Sequence, residues 1–255
     1  MKIEVLGCSG AEFPGHYPSG FLVDGNMLFD AGTLNNVLGE KRQRKIENIF
    51  ITHAHLDHIR EIPFLADNGI IGSWKHRINI FSIPPVIKNI KGCLLNSKLW
   101  PDMAVLPNRQ DAVLRLVPIA AGKPHRVSSY TILPCKVRHS VPAVGYLVED
   151  QRKTRFFYTG DTGPTERTWR RLGEVPMHCL IIEVSFPNRM EEIAMTTGHL
   201  TPSLLEKELQ KLKVMPERIR ITHMKPQFSK IIKLELLRLG LRNLAVLRRG
   251  DVLTL

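Results

Sequence analysis

The chain has 255 residues, of which 43% are hydrophobic and 24% are charged, a composition typical of a soluble globular protein. No apolar run approaches the roughly 20 residues that a membrane helix needs, and the four cysteines form no CxxC pair, which argues against a disulfide framework and a cysteine-rich zinc site. The formal net charge of +12 favours an anionic ligand, and it fits a phosphate ester and a nucleic acid equally well.

The first part of the chain consists of short apolar segments separated by glycine turns. Residues 1–7 carry an early acid and then a glycine, which predicts a first strand rather than a signal peptide, and hence a cytoplasmic protein. Further strands are predicted at 20–23, 27–29 and 49–52. The pattern becomes helical over 56–66, where apolar residues form a stripe.

The middle of the chain, 74–124, is irregular and rich in proline, with one predicted strand at 78–81 and one helix at 86–95. Strands are then predicted at 129–137, 144–148, 155–158, 179–184, 218–222, 244–247 and 252–255, and helices at 165–172, 202–212 and 230–239. Strands in both halves, with helices attached to each, predict an α/β protein with a sheet-on-sheet core covered by helices. We expect one domain over 1–255.

Residues 53–58 place three histidines and an aspartate within six positions. In an extended strand end, His53 and His55 project to the same side because side chains alternate with a period of two. Asp57 and His58 follow where the chain turns into the predicted helix. Imidazole and carboxylate suit zinc, iron or manganese, and four donors this close fit two adjacent ions better than one tetrahedral ion.

Three further donors lie at predicted strand ends, as His53 does. His139 ends an apolar run, Asp161 lies in a glycine turn after the strand at 155–158, and His223 directly follows the strand at 218–222. This shared placement predicts that the three residues complete a two-metal site.

The segment 53–58 resembles the HxHxDH signature of the metallo-β-lactamase superfamily, and the resemblance extends over nearly the whole chain, through Asp30-Ala31-Gly32 and the three later donors. It implies a four-layer αβ/βα sandwich with two divalent metal ions, expected to be zinc, with manganese or iron as alternatives. It implies His53, His55 and His139 on one ion, Asp57, His58 and His223 on the other, and Asp161 bridging them. Asp30 would support the ligands without binding metal.

A second pair of candidate catalytic residues lies near the end of the predicted strand at 179–184. Glu183 is close to the end of that strand, and His199 stands just ahead of a helix, for which Thr201 is a good N-cap and Pro202 a good first residue. An acid and a histidine in these places could meet beside the metals. An imidazole supported by a carboxylate is a natural proton donor to a departing alkoxide.

The runs 55–60 and 198–202 resemble the class II 3′,5′-cyclic-nucleotide phosphodiesterases, and ribonuclease Z has a comparable Glu and His pair. The class II pattern has glycine where this chain has Glu61, and no clear glycine- and proline-rich tRNA-gripping arm is present. The resemblance implies a phosphodiesterase whose anionic substrate is a small cyclic nucleotide, with RNA cleaved by a ribonuclease Z-like enzyme as the alternative.

The predicted mechanism uses two ions, about 3.5–4 Å apart, that hold a bridging hydroxide as the nucleophile. Asp57 and Asp161 position the metals and the nucleophile, while His199, aided by Glu183, protonates the leaving oxygen. A lactone or thioester hydrolase and a metal-binding scaffold without turnover are further alternatives. We also consider that His16 faces the pocket, and that apolar residues of 74–106 form a homodimer contact.

Overall fold

A computed structural model of the protein describes residues 1–255 and contains fourteen strands. The strands are β1 (Lys2–Gly7), β2 (Gly20–Val23), β3 (Met27–Phe29), β4 (Asn48–Phe50), β5 (Ile78–Ser82), β6 (Leu114–Pro118), β7 (His125–Val127), β8 (Tyr130–Lys136), β9 (Val144–Glu149), β10 (Arg155–Tyr158), β11 (Cys179–Glu183), β12 (Arg218–Thr222), β13 (Leu244–Val246) and β14 (Val252–Thr254).

Eight α-helices connect or flank these strands. They are α1 (Glu40–Gln43), α2 (Leu56–Ile59), α3 (Ile62–Ile71), α4 (Pro84–Asn89), α5 (Glu166–Leu172), α6 (Glu191–Thr197), α7 (Pro202–Leu209) and α8 (Ser229–Arg238). None of the helices is long and apolar enough to cross a membrane. All four cysteines are free thiols.

The strands form two seven-stranded sheets of mixed direction. The first sheet has the order β14-β1-β2-β3-β4-β5-β6, and the second has the order β13-β12-β11-β10-β9-β8-β7. Strands β3 to β6 run parallel to one another, as do β10 to β13. In open α/β sheets, ligands gather beyond the carboxyl ends of such parallel strands.

Alternate residues of the second sheet face two different cores, because side chains in a strand alternate with a period of two. Tyr146 and Phe156 lie between the two sheets, where their rings stand 5.7 and 5.6 Å from the ring of Phe29 in the first sheet. Phe157 points the opposite way and packs against Trp169 of α5. Each sheet therefore has an inner face and a helix-covered outer face.

Helices cover both outer faces of the sandwich. Apolar residues of α5, α7 and α8, among them Leu205 and Ile232, share one buried cluster with the outer face of the second sheet. Helix α3, through Ile62 and Leu65, and helix α4 pack on the first sheet. The layers are helix, sheet, sheet and helix, as the sequence predicted.

The helix predicted over 56–66 is in fact two helices, α2 and α3. Pro63 has no backbone N–H, so it cannot continue a hydrogen-bond ladder from α2, whereas it is well suited to the first turn of a new helix. The irregular stretch 74–124 also holds a second strand, β6, which sequence reasoning missed. Its Pro118 is tolerated because β6 lies at the edge of its sheet.

Candidate metal centre

Seven donor side chains from four strand ends converge on one edge of the sandwich. The 53–58 segment follows β4, while His139, Asp161 and His223 come shortly after β8, β10 and β12. Because these strands end at the same edge, residues far apart in sequence become neighbours there. The structure brings together all seven residues that the sequence predicted as metal ligands.

The first group of donors contains three imidazole nitrogens. His55 Nδ1 lies 3.1 Å from His53 Nε2 and 3.2 Å from His139 Nε2. Nitrogens bound at about 2.0–2.1 Å to a tetrahedral zinc ion stand about 3.3 Å from one another. The two separations from His55 Nδ1 therefore match those of nitrogens around one ion, and all three nitrogens lie within 4.8 Å of one another.

The second group contains Asp57, His58 and His223. Asp57 Oδ2 lies 3.6 Å from His58 Nε2 and 3.3 Å from His223 Nε2. Asp161 Oδ2 lies 3.4 Å from His58 Nε2 and 3.3 Å from His223 Nε2, and it is also 3.7 Å from His53 Nε2 in the first group. This single oxygen stands between the two groups, where a bridging carboxylate would be.

The hydrogen-bonding state of His58 tests whether these residues fit a metal. Its Nδ1 lies 2.7 Å from Asp30 Oδ2, so this nitrogen carries the proton. Its Nε2 is fully buried and has no hydrogen-bond partner. A buried polar atom without a partner is costly, and a metal ion on its lone pair would remove the cost. The donor side chains of the centre therefore fit a bound metal ion.

Three other candidate ligand histidines, His53, His139 and His223, are held in the same way, by the nitrogen that faces away from the centre. His53 Nδ1 lies 3.0 Å from Thr52 Oγ1, and His139 Nδ1 lies 2.9 Å from the Gly198 carbonyl oxygen, which can only accept. His223 Nδ1 lies 3.0 Å from Ser185 Oγ. These partners fix the ring orientation and leave Nε2 free for a metal.

The charges in the centre suit metal binding. Burial lowers the pKa of His53 well below its ordinary value, which keeps its imidazole neutral. Burial opposes ionisation of Asp161, but the neighbouring His223 and His58 prevail and lower its pKa well below the ordinary value. For Asp57, burial is likewise outweighed, chiefly by His58 and His223, and the pKa is lowered. Burial opposes the charged form of His58, but the carboxylates of Asp161, Asp30 and Asp57 outweigh it and raise the pKa of His58 well above its ordinary value. Because metals bind neutral imidazoles and ionised carboxylates, a metal on His58 would displace a proton from it.

Asp30 organises the buried side of the centre. It is fully buried, and besides the His58 ring its carboxylate accepts bonds from Thr52 N at 2.8 Å, from Thr52 Oγ1 at 2.9 Å and from Tyr158 Oη at 2.7 Å. Because Thr52 Oγ1 donates to Asp30, it accepts from His53 Nδ1. One carboxylate therefore orients a ligand of each group.

Replacing Asp30 by Asn is expected to weaken metal binding about 10–100-fold. It should also cost about 2–4 kcal/mol of unfolding free energy, because buried donors lose their charged acceptor. Tyr158→Phe removes one of these bonds and should cost about 1 kcal/mol. Metal titration and urea denaturation measure both effects. In the matched control Tyr146→Phe, the lost bond goes to the Ile51 carbonyl instead, so unchanged metal affinity is expected.

Glu183 and His199 meet beside the metal ligands. His199 Nδ1 lies 2.6 Å from Glu183 Oε1, and the ring of His199 stands 5.1 Å from that of His139 and 5.5 Å from that of His223. Burial alone would lower the pKa of His199, but the Glu183 carboxylate outweighs burial and raises it. The pair therefore holds a proton next to the centre.

Ser185 links this pair to the metal ligands, and sequence reasoning did not single it out. Its Oγ lies 2.8 Å from Glu183 Oε2, 3.2 Å from His199 Nδ1 and 3.0 Å from His223 Nδ1. The signal that could have found it is its spacing of two residues from Glu183, which places both side chains on one side of an extended chain.

The backbone at the second group is tightly packed. His223 has a left-handed φ of +62°, a conformation that non-glycine residues adopt rarely and mostly where surrounding structure enforces it. A Cβ atom on Gly10 would stand 2.3 Å from the His223 carbonyl oxygen, so only glycine fits there. The loop after β1 therefore packs directly against the His223 turn, and each restricts the conformation of the other.

The sequence profile of the β-lactamase superfamily domain matches residues 25–224, a range that includes all seven candidate ligands. The chain belongs to this superfamily. The solved structure of YhfI from Bacillus subtilis, a metallo-β-lactamase fold protein, superimposes with a TM-score of 0.79 at 18% identity, covering 99% of this chain and 98% of that one. The predicted superfamily and fold class are confirmed.

Two curated relatives within the superfamily are each 27% identical to this chain. One is a probable 3′,5′-cyclic-nucleotide phosphodiesterase of Yersinia pestis, with 73% of this chain matching 59% of the relative. The other is a ribonuclease Z of Methanococcus maripaludis, with 79% of this chain matching 81% of the relative. Unliganded yeast PDE1 shares the fold with a TM-score of 0.83 and 18% identity, over 100% of this chain and 99% of that one. The prediction that the chain is a hydrolase of this superfamily is confirmed.

Two residues that the sequence analysis considered, Glu61 and His16, lie outside the candidate metal centre. Glu61, at the position where glycine was expected, is buried, and its Oε2 lies 2.7 Å from Asn35 Nδ2 and 3.1 Å from Asn35 N. It anchors the segment before α1 instead of facing the ligands. His16 lies 3.5 Å from Ser9 Oγ and belongs to neither donor group.

Proposed function

We propose that the chain is a dinuclear metal-dependent hydrolase of phosphodiester bonds. The observation that carries the proposal is the pairing of two ligand groups around the shared oxygen of Asp161 with the Glu183–His199 pair beside them. Two adjacent cation sites suit a reaction in which both the attacking and the leaving oxygen need stabilisation. A neighbouring proton donor suits an alkoxide leaving group.

Residues of the chain would divide the work as follows. The seven candidate ligands would hold two divalent ions, expected to be zinc with manganese or iron as alternatives, and these would supply an activated water and polarise the phosphoryl oxygens. Asp57 is 32% exposed while Asp161 is 3% exposed, so Asp57 is the carboxylate on the open side, where it can orient the incoming water. His199 gives its proton to the leaving oxygen, and Glu183 holds the ring in place.

A small cyclic nucleotide is the first candidate substrate, because the likeness to the Yersinia protein and to yeast PDE1 favours it. RNA is the second candidate. It is favoured by the likeness to ribonuclease Z, which extends over most of both chains, and by the net charge of +12. A lactone or thioester hydrolase makes less use of this charge, and a scaffold without turnover makes no use of the buried Glu183–His199 pair.

Removal and return of the metal tests the proposed function. Dialysis against a chelator is expected to abolish hydrolysis of bis-p-nitrophenyl phosphate and to lower the melting temperature, since bound metal stabilises the folded state by mass action. Zinc, manganese and iron are then returned singly, with metal content measured by elemental analysis. Each loaded form is assayed on cyclic AMP, precursor tRNA and a lactone. Cleavage of the lactone alone would contradict the proposal.

A further inference from the structure

A basic groove of about 540 Å³ runs between helix α4 and the edge strand β6, apart from the metal centre. Five cationic side chains line it, and no acidic side chain does. These five, called the groove cations below, are Arg77, Lys88, Lys91, Arg109 and Arg115.

The groove cations come from separate segments of the chain and are mostly unpaired. All five are exposed, and only Lys91 has a carboxylate partner, Asp102. Residues 75–118 as a whole carry seven basic and two acidic residues, a net +5 of the chain's +12. A concave surface lined by one sign of charge concentrates the opposite charge, so the expected ligand carries several negative charges.

The upper end of the groove lies two strands away from the segment that leads to the metal centre. Strands β4, β5 and β6 are consecutive neighbours, and Ser82 of β5 pairs in register with Pro118 of β6, at the upper end of the groove. Ser82 Oγ donates to the carbonyl oxygen of Ile51, on the segment that leads to His53. Two strand spacings, about 10 Å, therefore separate that segment from the groove.

We infer that this groove binds the phosphate backbone of a single-stranded RNA segment whose continuation reaches the metal centre. The inference rests on the proposed function and favours its second candidate substrate, RNA, over a small cyclic nucleotide. Five cations spread along a groove match a run of backbone phosphates better than the single phosphate of a cyclic nucleotide. The groove volume is that of a site for a drug-sized ligand, so it holds part of a strand and not a duplex.

The floor of the groove supports a nucleic-acid strand as the ligand. Ile87, Leu114 and Leu116 line it between the cations, which provides apolar surface for bases or sugars while the rim holds phosphates. A flat membrane headgroup layer would meet the exposed cations but would leave this recessed apolar floor uncovered.

The test compares wild-type protein with Arg109→Gln/Arg115→Gln. The control is Lys230→Gln/Arg238→Gln, which removes two exposed, unpaired cations from α8 and leaves the same net charge. Binding of a fluorescent 15-nucleotide oligouridylate is measured from 50 to 200 mM salt. In the groove variant, the dissociation constant at 100 mM salt should rise about tenfold, and the slope of log affinity against log salt should fall by about 1.4, or about 0.7 for each lost phosphate contact.

Hydrolysis of bis-p-nitrophenyl phosphate should be unchanged in both variants, because this small diester does not reach the groove. Equal RNA binding by the groove variant and the wild type would overturn the inference, as would an equal loss in the α8 control. Binding of the wild type and of the groove variant to vesicles containing phosphatidylserine is measured as well. A groove variant that loses vesicle binding but keeps RNA binding would also overturn the inference. A wild-type protein that hydrolyses no diester would refute the proposed function. The RNA affinities of the wild type and the groove variant could still be compared in that case.

Discussion

Replacing Asp161 with alanine is expected to lower kcat/KM for a phosphodiester by about 10³-fold, which corresponds to about 4 kcal/mol of transition-state stabilisation. Asp161 Oδ2 lies within 3.7 Å of one ligand nitrogen in the first group and within 3.4 Å of two in the second. No other oxygen of the chain is shared by the two groups in this way. Its loss removes a ligand from both proposed ions at once.

Elemental analysis of Asp161→Ala should find fewer than two ions per chain, and isothermal titration should show weaker binding of the metals that remain. Asp161→Asn keeps the shape and one oxygen but loses the charge, so an intermediate loss is expected. The matched control is Asp67→Ala on α3, where the carboxylate has no hydrogen bond or ion pair, and there both metal content and activity should be unchanged. Full metal content together with full activity in Asp161→Ala would contradict the assignment of Asp161 as a metal ligand.

The convergence of the seven candidate ligands could be predicted from the sequence because each donor lies at a position that its own local sequence marks. His53 to His58 are adjacent in the chain, and His139, Asp161 and His223 each follow an apolar strand that is recognisable by itself. Strands that end at one edge bring such residues together without any knowledge of the exact register. The alternating apolar pattern likewise predicted most of the strands that build the two cores.

The supporting contacts could not be predicted in the same way. Tyr158 and Asp30 meet across the two sheets although 128 positions separate them, and nothing in either local sequence indicates the other. Ser185 sits in a segment that is held by a distant residue, since its N–H donates to the carbonyl oxygen of Leu200, just ahead of α7. Strand β6 was missed because its five residues end in proline, which counts against a strand in sequence, whereas proline is tolerated there because β6 lies at the edge of its sheet.

The role of Glu61 shows how a departure from a family pattern can be local. Its carboxylate is turned away from the ligands and bonds the backbone and side chain of Asn35. The Glu61 N–H donates to the Ala31 carbonyl oxygen, next to Asp30. Glu61 therefore helps to anchor the Asp30 loop and belongs to neither donor group.

His199→Ala is expected to slow hydrolysis by about 10²–10⁴-fold, the range of general acid catalysis, when the leaving group is a sugar alkoxide. The same variant should slow bis-p-nitrophenyl phosphate only a few-fold, because p-nitrophenolate is a stable anion that leaves without a proton. His199 has the geometry for this role, with Nδ1 fixed 2.6 Å from Glu183 and its ring beside those of His139 and His223.

The comparison of the two leaving groups separates proton donation from a structural role. If His199 only supported the metal ligands, both substrates would slow equally and metal content would fall. Glu183→Gln keeps the shape of the pair but withdraws the charge that holds the proton on His199, so it should reproduce the same selective loss in a milder form. His76→Ala serves as the control, since His76 packs beside Trp74 and contacts only the Ile46 carbonyl oxygen by hydrogen bond. A His199→Ala enzyme that cleaves the alkoxide ester at the wild-type rate would exclude His199 as the proton donor.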